Sequence, residues 1–563
     1  MKLLQHFKEL TVRPKNAQEL KGLVLQLAIQ GKLTATWRKE NPNIESASEL
    51  LKKTLKKKEE QSKDQKKKKE KDLLPLTKDE IPFSIPKTWV WTRLGEVGTT
   101  NVGLTYKPAH KNDSGVPVLR SSNVQEGELC LKDLVRVNTD YREKDIIKEG
   151  DLLICARNGS RRLVGKCTII GKIDEAMVFG AFMAIFRSDF NPYLQLFIQS
   201  PQYRSKLDGV ETTTINQITQ GNLKATTVPL PPLEEQKEIV KVVETLFKEV
   251  EELEQLTVER ISLKEDFVTS ALNQLTTNNA NQEWAYLQEH FKDFFNEKTN
   301  IKKLKETILQ LAVQGKLTVD WRENNPDTED ASILLKRIQG EKTQLIKEKK
   351  IKKEKGLPKI TEDEIPYEIP EGWVWCRLGE VINLKSGQDL KPNEYSDTEV
   401  IGLPYVTGAS NLKKEKVIIS RWTNVPRSIA FNGNLLITCK GSGVGKMGWL
   451  DEESAHIARQ IMAISTVSSP LNYIKVLMDV NAMIYRKNAI GLIPGIDRKT
   501  VLETLLGFPP IEEQKAIVEK VNALMGLCDT LEQEVQQSQE HSAQLMQSCL
   551  REVFEGESKT VEI

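Results

Sequence analysis

LQLAIQGKLT, Leu25 to Thr34, returns almost unchanged as LQLAVQGKLT, Leu309 to Thr318. His6-Phe7-Lys8 returns as His290-Phe291-Lys292 at the same spacing, and DEIPFSIPKTWVWTRLGEV (Asp79 to Val97) returns as DEIPYEIPEGWVWCRLGEV (Asp363 to Val381). Further on, PPLEEQKEIV (Pro231 to Val240) returns as PPIEEQKAIV (Pro509 to Val518) at a reduced spacing, so the second middle section is six residues shorter. A chain written twice is built twice. The expectation is an internal pseudo-twofold repeat of two units, near 3–282 and 287–563. Between the anchors the likeness fades to GDLLICARNGS (Gly150 to Ser160) against GNLLITCKGSG (Gly433 to Gly443). A frame kept closely around inserts that have diverged fits one device used on two different targets, with drift of the inserts as the rival explanation.

Each PPxEEQ anchor opens a long helical pattern. Ile239, Val243, Leu246, Val250, Leu253, Thr257, Arg260, Lys264, Phe267 and Ala271 step alternately by four and three. So do Ile517, Val521, Leu524, Cys528, Leu531, Val535, Ser538, Ser542, Leu545 and Cys549. A 3.5-residue period is a coiled-coil seam, and it turns polar after Leu253 and Val535. Pairing of the two helices with each other is the main expectation, with packing on a partner protein as the rival.

The middle sections read as compact mixed α/β domains. VPVLR, DLLICA, CTIIG and FMAIF in the first, and LPYV, NLLITC, MGWL and IMAIS in the second, are short apolar runs between turn residues, as strands are. PYLQLFIQS and LNYIKVLMDV read as one helix each. Two lysine-rich runs flank them: 52–71 holds 11 Lys against 4 acidic residues, and 336–355 holds 9 Lys or Arg against 3. Ser48 and Ser332 are the N-caps expected there. Such runs are solvated helices or contribute sequence-blind phosphate affinity.

Lys plus Arg number 81 and Asp plus Glu 79, a net charge of +2, which excludes a uniformly basic histone-like protein. Any nucleic-acid face must come from local segregation of charge. The longest apolar run, Met177 to Phe186, is far short of the ~20 residues that span a bilayer. MKLLQHFKEL at the start has no continuous apolar core, so no signal peptide, no membrane contact and a cytoplasmic location are expected. The seven cysteines include no CxxC pair, and no metal site is expected. Catalytic motifs are close to absent. Lys440 to Met447, KGSGVGKM, approaches a P-loop but has Lys and Met where Gly and Ser or Thr belong. A nucleotide-binding enzyme stays open as an alternative, as does a coiled-coil scaffold that binds no DNA. The middle sections' only histidines, His110 and His456, read as surface residues.

Two divergent domains inside near-identical helical frames resemble the specificity subunit of type I restriction–modification systems. The marks are PLPPLEEQ with FPPIEEQ, and LQLAxQGKLT and IPxxWxWxRLGEV, each twice, so that the resemblance covers essentially the whole chain. It implies an α+β chain: two mixed α/β target-recognition domains separated by two long antiparallel coiled-coil helices. The domains would be 1–86 (helical frame with the lysine-rich segment), 87–230 (recognition), 231–370 (long helix, linker and second frame segment), 371–508 (recognition) and 509–563 (second long helix). It implies that each recognition domain reads one half of a bipartite, interrupted site on double-stranded DNA. The frames would bind two modification subunits, which methylate adenine, and restriction subunits would join. The subunit itself would have no catalytic site and no cofactor, with S-adenosylmethionine, ATP and magnesium used by the partners. The lysine-rich insertions depart from that pattern.

Base edges are read by Arg or Lys on guanine and Asn or Gln on adenine. Candidates in the first section are Arg120, Ser121, Asn123, Arg157, Asn158, Arg161, Arg162, Asn216 and Gln217. In the second they are Thr407, Ser410, Asn411, Lys440, Ser442, Lys446, Arg459, Gln460, Arg498 and Lys499. The loops after the two LLI strands rank first, because a strand end holds polar groups rigidly. For partner binding, the repeated frame residues Trp89, Trp91, Glu235 and Gln236 are the candidates, with Trp373, Trp375, Glu513 and Gln514.

Overall fold

A computed structural model describes residues 13–64, 74–208, 216–277, 282–441, 443–488 and 495–555. The chain divides into two compact units. Unit 1 is Met1–Ile261 with Glu540–Ile563, and unit 2 is Ser262–Gln539.

In unit 1, helix α1 (Pro14–Ile29) and the lysine-rich α2 (Ala47–Asp64) precede the middle section, and α3 (Leu233–Thr277) follows it. A four-stranded antiparallel sheet runs in the order Thr99–Val102, Met183–Arg187, Leu152–Cys155, Cys167–Ile169. Side chains alternate across a sheet, and here both faces are covered. Leu152 and Ile154 face one core with Val24, Trp89, Tyr193 and Val243, while Leu153 and Cys155 face another with Leu119, Phe179 and Ile185. That double burial explains why DLLICA reads as an unbroken apolar run. PYLQLFIQS forms the helix Asn191–Gln199.

Unit 2 repeats the plan. Helices α4 (Lys298–Val313) and α5 (Ala331–Lys347) precede its middle section, and α6 (Ile511–Glu555) follows. The strand order Ile382–Ser386, Ile461–Thr466, Leu435–Thr438, Met447–Trp449 is that of unit 1. One pairing is not legible from the sequence in either copy. The tryptophan segment is a strand, Val90–Arg93, antiparallel to Thr227–Leu230, and Val374–Arg377 pairs likewise with Leu505–Phe508. Each middle section is thus clamped shut where it leaves the frame.

Each long helix has 45 residues, about 68 Å at 1.5 Å per residue. Their seam is shared among several packings. Ile239 and Val243 pack inside unit 1, and Ile517 and Val521 inside unit 2. In unit 2, Val268, Ala271 and Leu272 of α3 meet Cys528 and Val535 of α6. Ile301, Leu304 and Ile308 of α4 join them, making a bundle where a two-stranded coil was expected. Unit 1 holds the start of α3 with the end of α6, and unit 2 holds the end of α3 with the start of α6. Arg260, Ser538 and Ser542 are exposed or half-exposed, in keeping with the polar turn of the seam.

In each lysine-rich helix one described lysine closes a short helix of the middle section. Lys342 Nζ donates to the carbonyls of Gly379 and Ile382, both at 2.6 Å, closing the end of the short helix Leu378–Val381. Lys58, its counterpart in unit 1, does the same for Gly95 and Gly98. The caps differ from expectation. Ser46 Oγ accepts from Glu49 N in α2, and Asp330 caps α5 by accepting from the Ser332 N–H, because the helices begin earlier than the serines suggest.

Candidate nucleic-acid interface

The frame residues explain how the candidate loops are held. Glu235 is fully buried (0% exposed). Its Oε1 accepts from Thr34 Oγ1 at 2.7 Å and from Arg38 at 2.9 and 2.6 Å, and its Oε2 accepts from Trp89 Nε1 at 2.8 Å. Glu513 repeats this with Thr318, Arg322 and Trp373. Arg38 and Arg322 also donate to the carbonyls of Gly31 and Gly315. Those glycines end their helices at φ of 67° and 70°, and an added Cβ would meet Pro86 at 2.7 Å or Pro370 at 2.6 Å. The QGK, P-x-x-W and EEQ motifs are therefore parts of one buried latch, drawn from segments far apart along the chain. Gln236 and Gln514 are buried and donate to the carbonyls of Pro231 and Pro509.

This corrects the expectation that Glu235, Gln236, Glu513, Gln514, Trp89 and Trp373 offer their side chains to a partner. Their polar atoms are hydrogen-bonded inside the chain, where an unpaired charge would be costly. Trp91 and Trp375 are half-buried and pack against Phe83 and Tyr367.

Above the latch, the two units share one backbone device. In unit 1, Ala156 N and Arg157 N donate to Phe182 O at 2.9 and 3.0 Å, and Ile218 N donates to Ala156 O at 2.7 Å. In unit 2, Cys439 N donates to Gln460 O at 2.8 Å and Ile496 N to Cys439 O at 2.9 Å. Gly165 N closes one loop on Cys155 O, and Gly445 N closes the other on Thr438 O, both at 2.9 Å. Nine residues fill the first loop and six the second.

In unit 1 this scaffold gathers Ser121, Arg157, Asn158, Asn216 and Gln217. Asn158 Nδ2 donates to Ser121 Oγ at 3.2 Å, and the strand pairing sets Asn216 opposite Asn158 and Gln217 opposite Arg157. Arg161 and Arg162 are exposed on the next turn, whose carbonyls at Arg162 and Val164 are propped by Arg204, a positioning residue with no sequence signal. Arg120 is half-buried and donates to Asp133 O at 3.2 Å. Unit 2 gathers Ser410, Lys440, Lys446, Arg459 and Gln460, all exposed. Gly443 lies against Ala409, and Gly408 lies beside the Gln460 amide. Arg459 pairs with Asp389 at 3.3 Å. Thr407 is half-buried, and its hydroxyl donates to Asn411.

Three groups differ from these. Asn123 and Asn411 are buried and serve as brackets. Asn123 Oδ1 accepts from Arg120 N at 2.9 Å while its Nδ2 donates to Cys130 O at 3.0 Å. Asn411 links Thr407 N at 3.0 Å to Ile418 O at 2.8 Å. Their side chains are committed to their own turns. Arg498 pairs with Glu354 and Lys499 with Glu503, at the start of the short helix Arg498–Glu503, which follows closely on Gly495, the residue that bridges Lys440. Ser442 lies outside the described residues.

His456 is not a surface residue. It is fully buried, its Nδ1 accepting from Arg427 N at 3.2 Å and Ser428 N at 3.1 Å and its Nε2 lying 2.8 Å from Gln388 O. Burial holds its pKa below the ordinary histidine value. His110 is half-buried. The Lys440–Lys446 loop joins two antiparallel strands. A P-loop leads from a strand into a helix whose N-terminus holds phosphate, so the nucleotide-binding alternative has no structural support. Among the described residues no His, Cys, Asp and Glu cluster could hold a metal ion, and no helix is long and apolar enough to cross a membrane.

Residues 86–261 and 370–540 match the family described as the type I restriction modification DNA specificity domain. The chain is 29% identical over 555 residues to the type I restriction enzyme EcoEI specificity subunit of Escherichia coli, spanning 93% of this chain and 91% of that protein. It is 31% identical over 411 residues to the EcoAI specificity subunit of the same organism, spanning 70% and 66%. Among solved structures, one described as the structural basis underlying complex assembly and conformational transition of the type I R-M system includes a chain of the same fold. The TM-score is 0.53 at 18% identity, over 84% of this chain and 100% of that one.

Proposed function

This chain belongs to the family of type I restriction modification DNA specificity domains, and from that premise we propose how it reads DNA. Each unit presents one strand-end platform to one half of a bipartite, interrupted double-stranded site. Unit 1 reads through Arg157, Asn158 and Gln217, with Arg161 and Arg162 on phosphates. Unit 2 reads through Lys440, Gln460 and Ser410, with Lys446 and Arg459 beside them. The carrying observation is that matched main-chain hydrogen bonds hold different side chains in the two units. Phosphate contacts position a protein and base contacts specify; a constant scaffold with exchanged side chains serves both needs.

The chain works without a catalytic site or cofactor of its own. Methylation with S-adenosylmethionine, and ATP- and magnesium-dependent restriction, belong to two modification subunits and to restriction subunits that it assembles in the cytoplasm. Exposed parts of the frames, not the latch, meet those partners. The lysine-rich helices add salt-dependent phosphate affinity. Co-expression with modification subunits, followed by mapping of methylated adenines, tests this reading. The expected result is a two-part motif with an unspecified gap. A single uninterrupted motif, or no motif, contradicts it.

A further inference from the structure

Phe182 is 58% exposed although its neighbours Met183 to Phe186 are buried. It sits on a rigid turn, its carbonyl accepting from both Ala156 and Arg157. The Arg157 guanidinium lies over its ring, 5.2 Å from the centroid, and among the described residues that guanidinium forms no ion pair. Gln217 faces Arg157 across the strand pair. A ring this exposed, beside a cation with no ion pair among the described residues, contributes little buried apolar area. The same main-chain place in unit 2 carries Gln460, also exposed, next to Lys440. The backbone is kept and the chemistry exchanged, which marks a reading position.

We propose that Phe182 and Arg157 act as one reader of two adjacent base pairs in the half-site of unit 1. The ring packs on the 5-methyl group of a thymine, and the guanidinium, held flat by the ring, makes a bidentate contact to the O6 and N7 of the neighbouring guanine. Both contacts suit the groups each base shows in the major groove. Arginine stacked on an aromatic face loses rotamer freedom before it binds, which sharpens its geometry. Gln460 instead selects adenine at the matched place in unit 2.

The inference rests on the reading of unit 1 as a DNA-reading domain, and the test separates the two. The full chain, assembled with modification subunits, is bound to duplexes carrying its mapped site, with each thymine of the unit 1 half-site replaced in turn by deoxyuridine. Loss of one methyl group should weaken binding about fourfold at one thymine, the value of a single buried methyl. Phe182→Ala should bind the thymine and uracil duplexes equally, and Phe182→Gln should change the preferred base there while leaving the unit 2 half-site untouched. Phe182 is exposed, so both variants should fold as the parent does, checked by their unfolding midpoints. If the parent marks a specific site yet no thymine is methyl-sensitive, or the sensitivity survives in Phe182→Ala, the inference fails and the reading stands. If the parent marks no specific site, both fail.

Discussion

Glu235 and Glu513 hold the same three partners in the two units, whereas Phe182 and Gln460 occupy matched main-chain places with unrelated chemistry. A third pair lies between these extremes. In unit 1, Val118 and Val178 face each other in a parallel pair; in unit 2, the matched places hold Tyr405 and His456. The contrast teaches where each kind of constraint acts. A buried carboxylate with several donors tolerates no exchange, because removing one member leaves the others desolvated and unpaired. An interior strand pair can change from apolar to polar if every new donor and acceptor is met, as His456 is. A strand end open to solvent has no such obligation and is free to vary.

Breaking the latch should have the largest effect. Glu235→Ala strands Thr34, Arg38 and Trp89 and is expected to cost about 3–5 kcal/mol in unit 1. Hydrogen exchange of the whole chain should show unit 1 opening while unit 2 keeps its protection; Glu513→Ala should reverse the pattern. Retained protection of unit 1 in a complex that no longer assembles would return Glu235 to a partner-binding role. Gly31→Ala should cost about 1–3 kcal/mol, since it forces a left-handed backbone and pushes a Cβ into Pro86; chemical denaturation measures it. The brackets sharpen the comparison: Asn123→Ala and Asn411→Ala should each lose about 1–3 kcal/mol, while Ser410→Ala, exposed at the adjacent turn, should leave the unfolding midpoint in place and alter only DNA binding.

The smallest effect is one of pH. The fold favours neutral His456, so its contribution is fully present above the ordinary histidine value of about 6.5 and is lost as pH falls from there through the lowered value of the folded state. Unit 1 has Val178 there and has no counterpart. Hydrogen exchange at pH 7.5 and 5.5 should therefore show strand Ser454–Ile457 losing more protection than strand Val178–Phe179. In His456→Val that excess should disappear, though the variant is less stable at every pH. An excess that persists would assign the pH response to the surrounding carboxylates.

The repeat makes the duplicated architecture legible, and the apolar runs locate the central strands, because both act through sequence-local patterns. The latch is visible in the sequence only as motifs. Trp89 and Glu235 are 146 residues apart, and nothing in spacing says that an indole N–H and a carboxylate meet. Repetition of charged and aromatic residues suggests a surface, yet here it marks a buried network that holds the fold. Asn123 and Asn411 mislead for a related reason: asparagine suits both adenine and turn closure, and only burial separates the uses. Phe182 carries no signal of its own because it opens an apolar run, FMAIF, whose other members are buried.

The central claim is that two frames of one design carry two independent readers. Exchanging residues 100–228 for the same section of a relative, then mapping methylated adenines in DNA exposed to the assembled complex, tests it most directly. One half of the recognised site should change, with the other half kept as in the parent. A change in both halves together, from a complex that still methylates, would contradict the account.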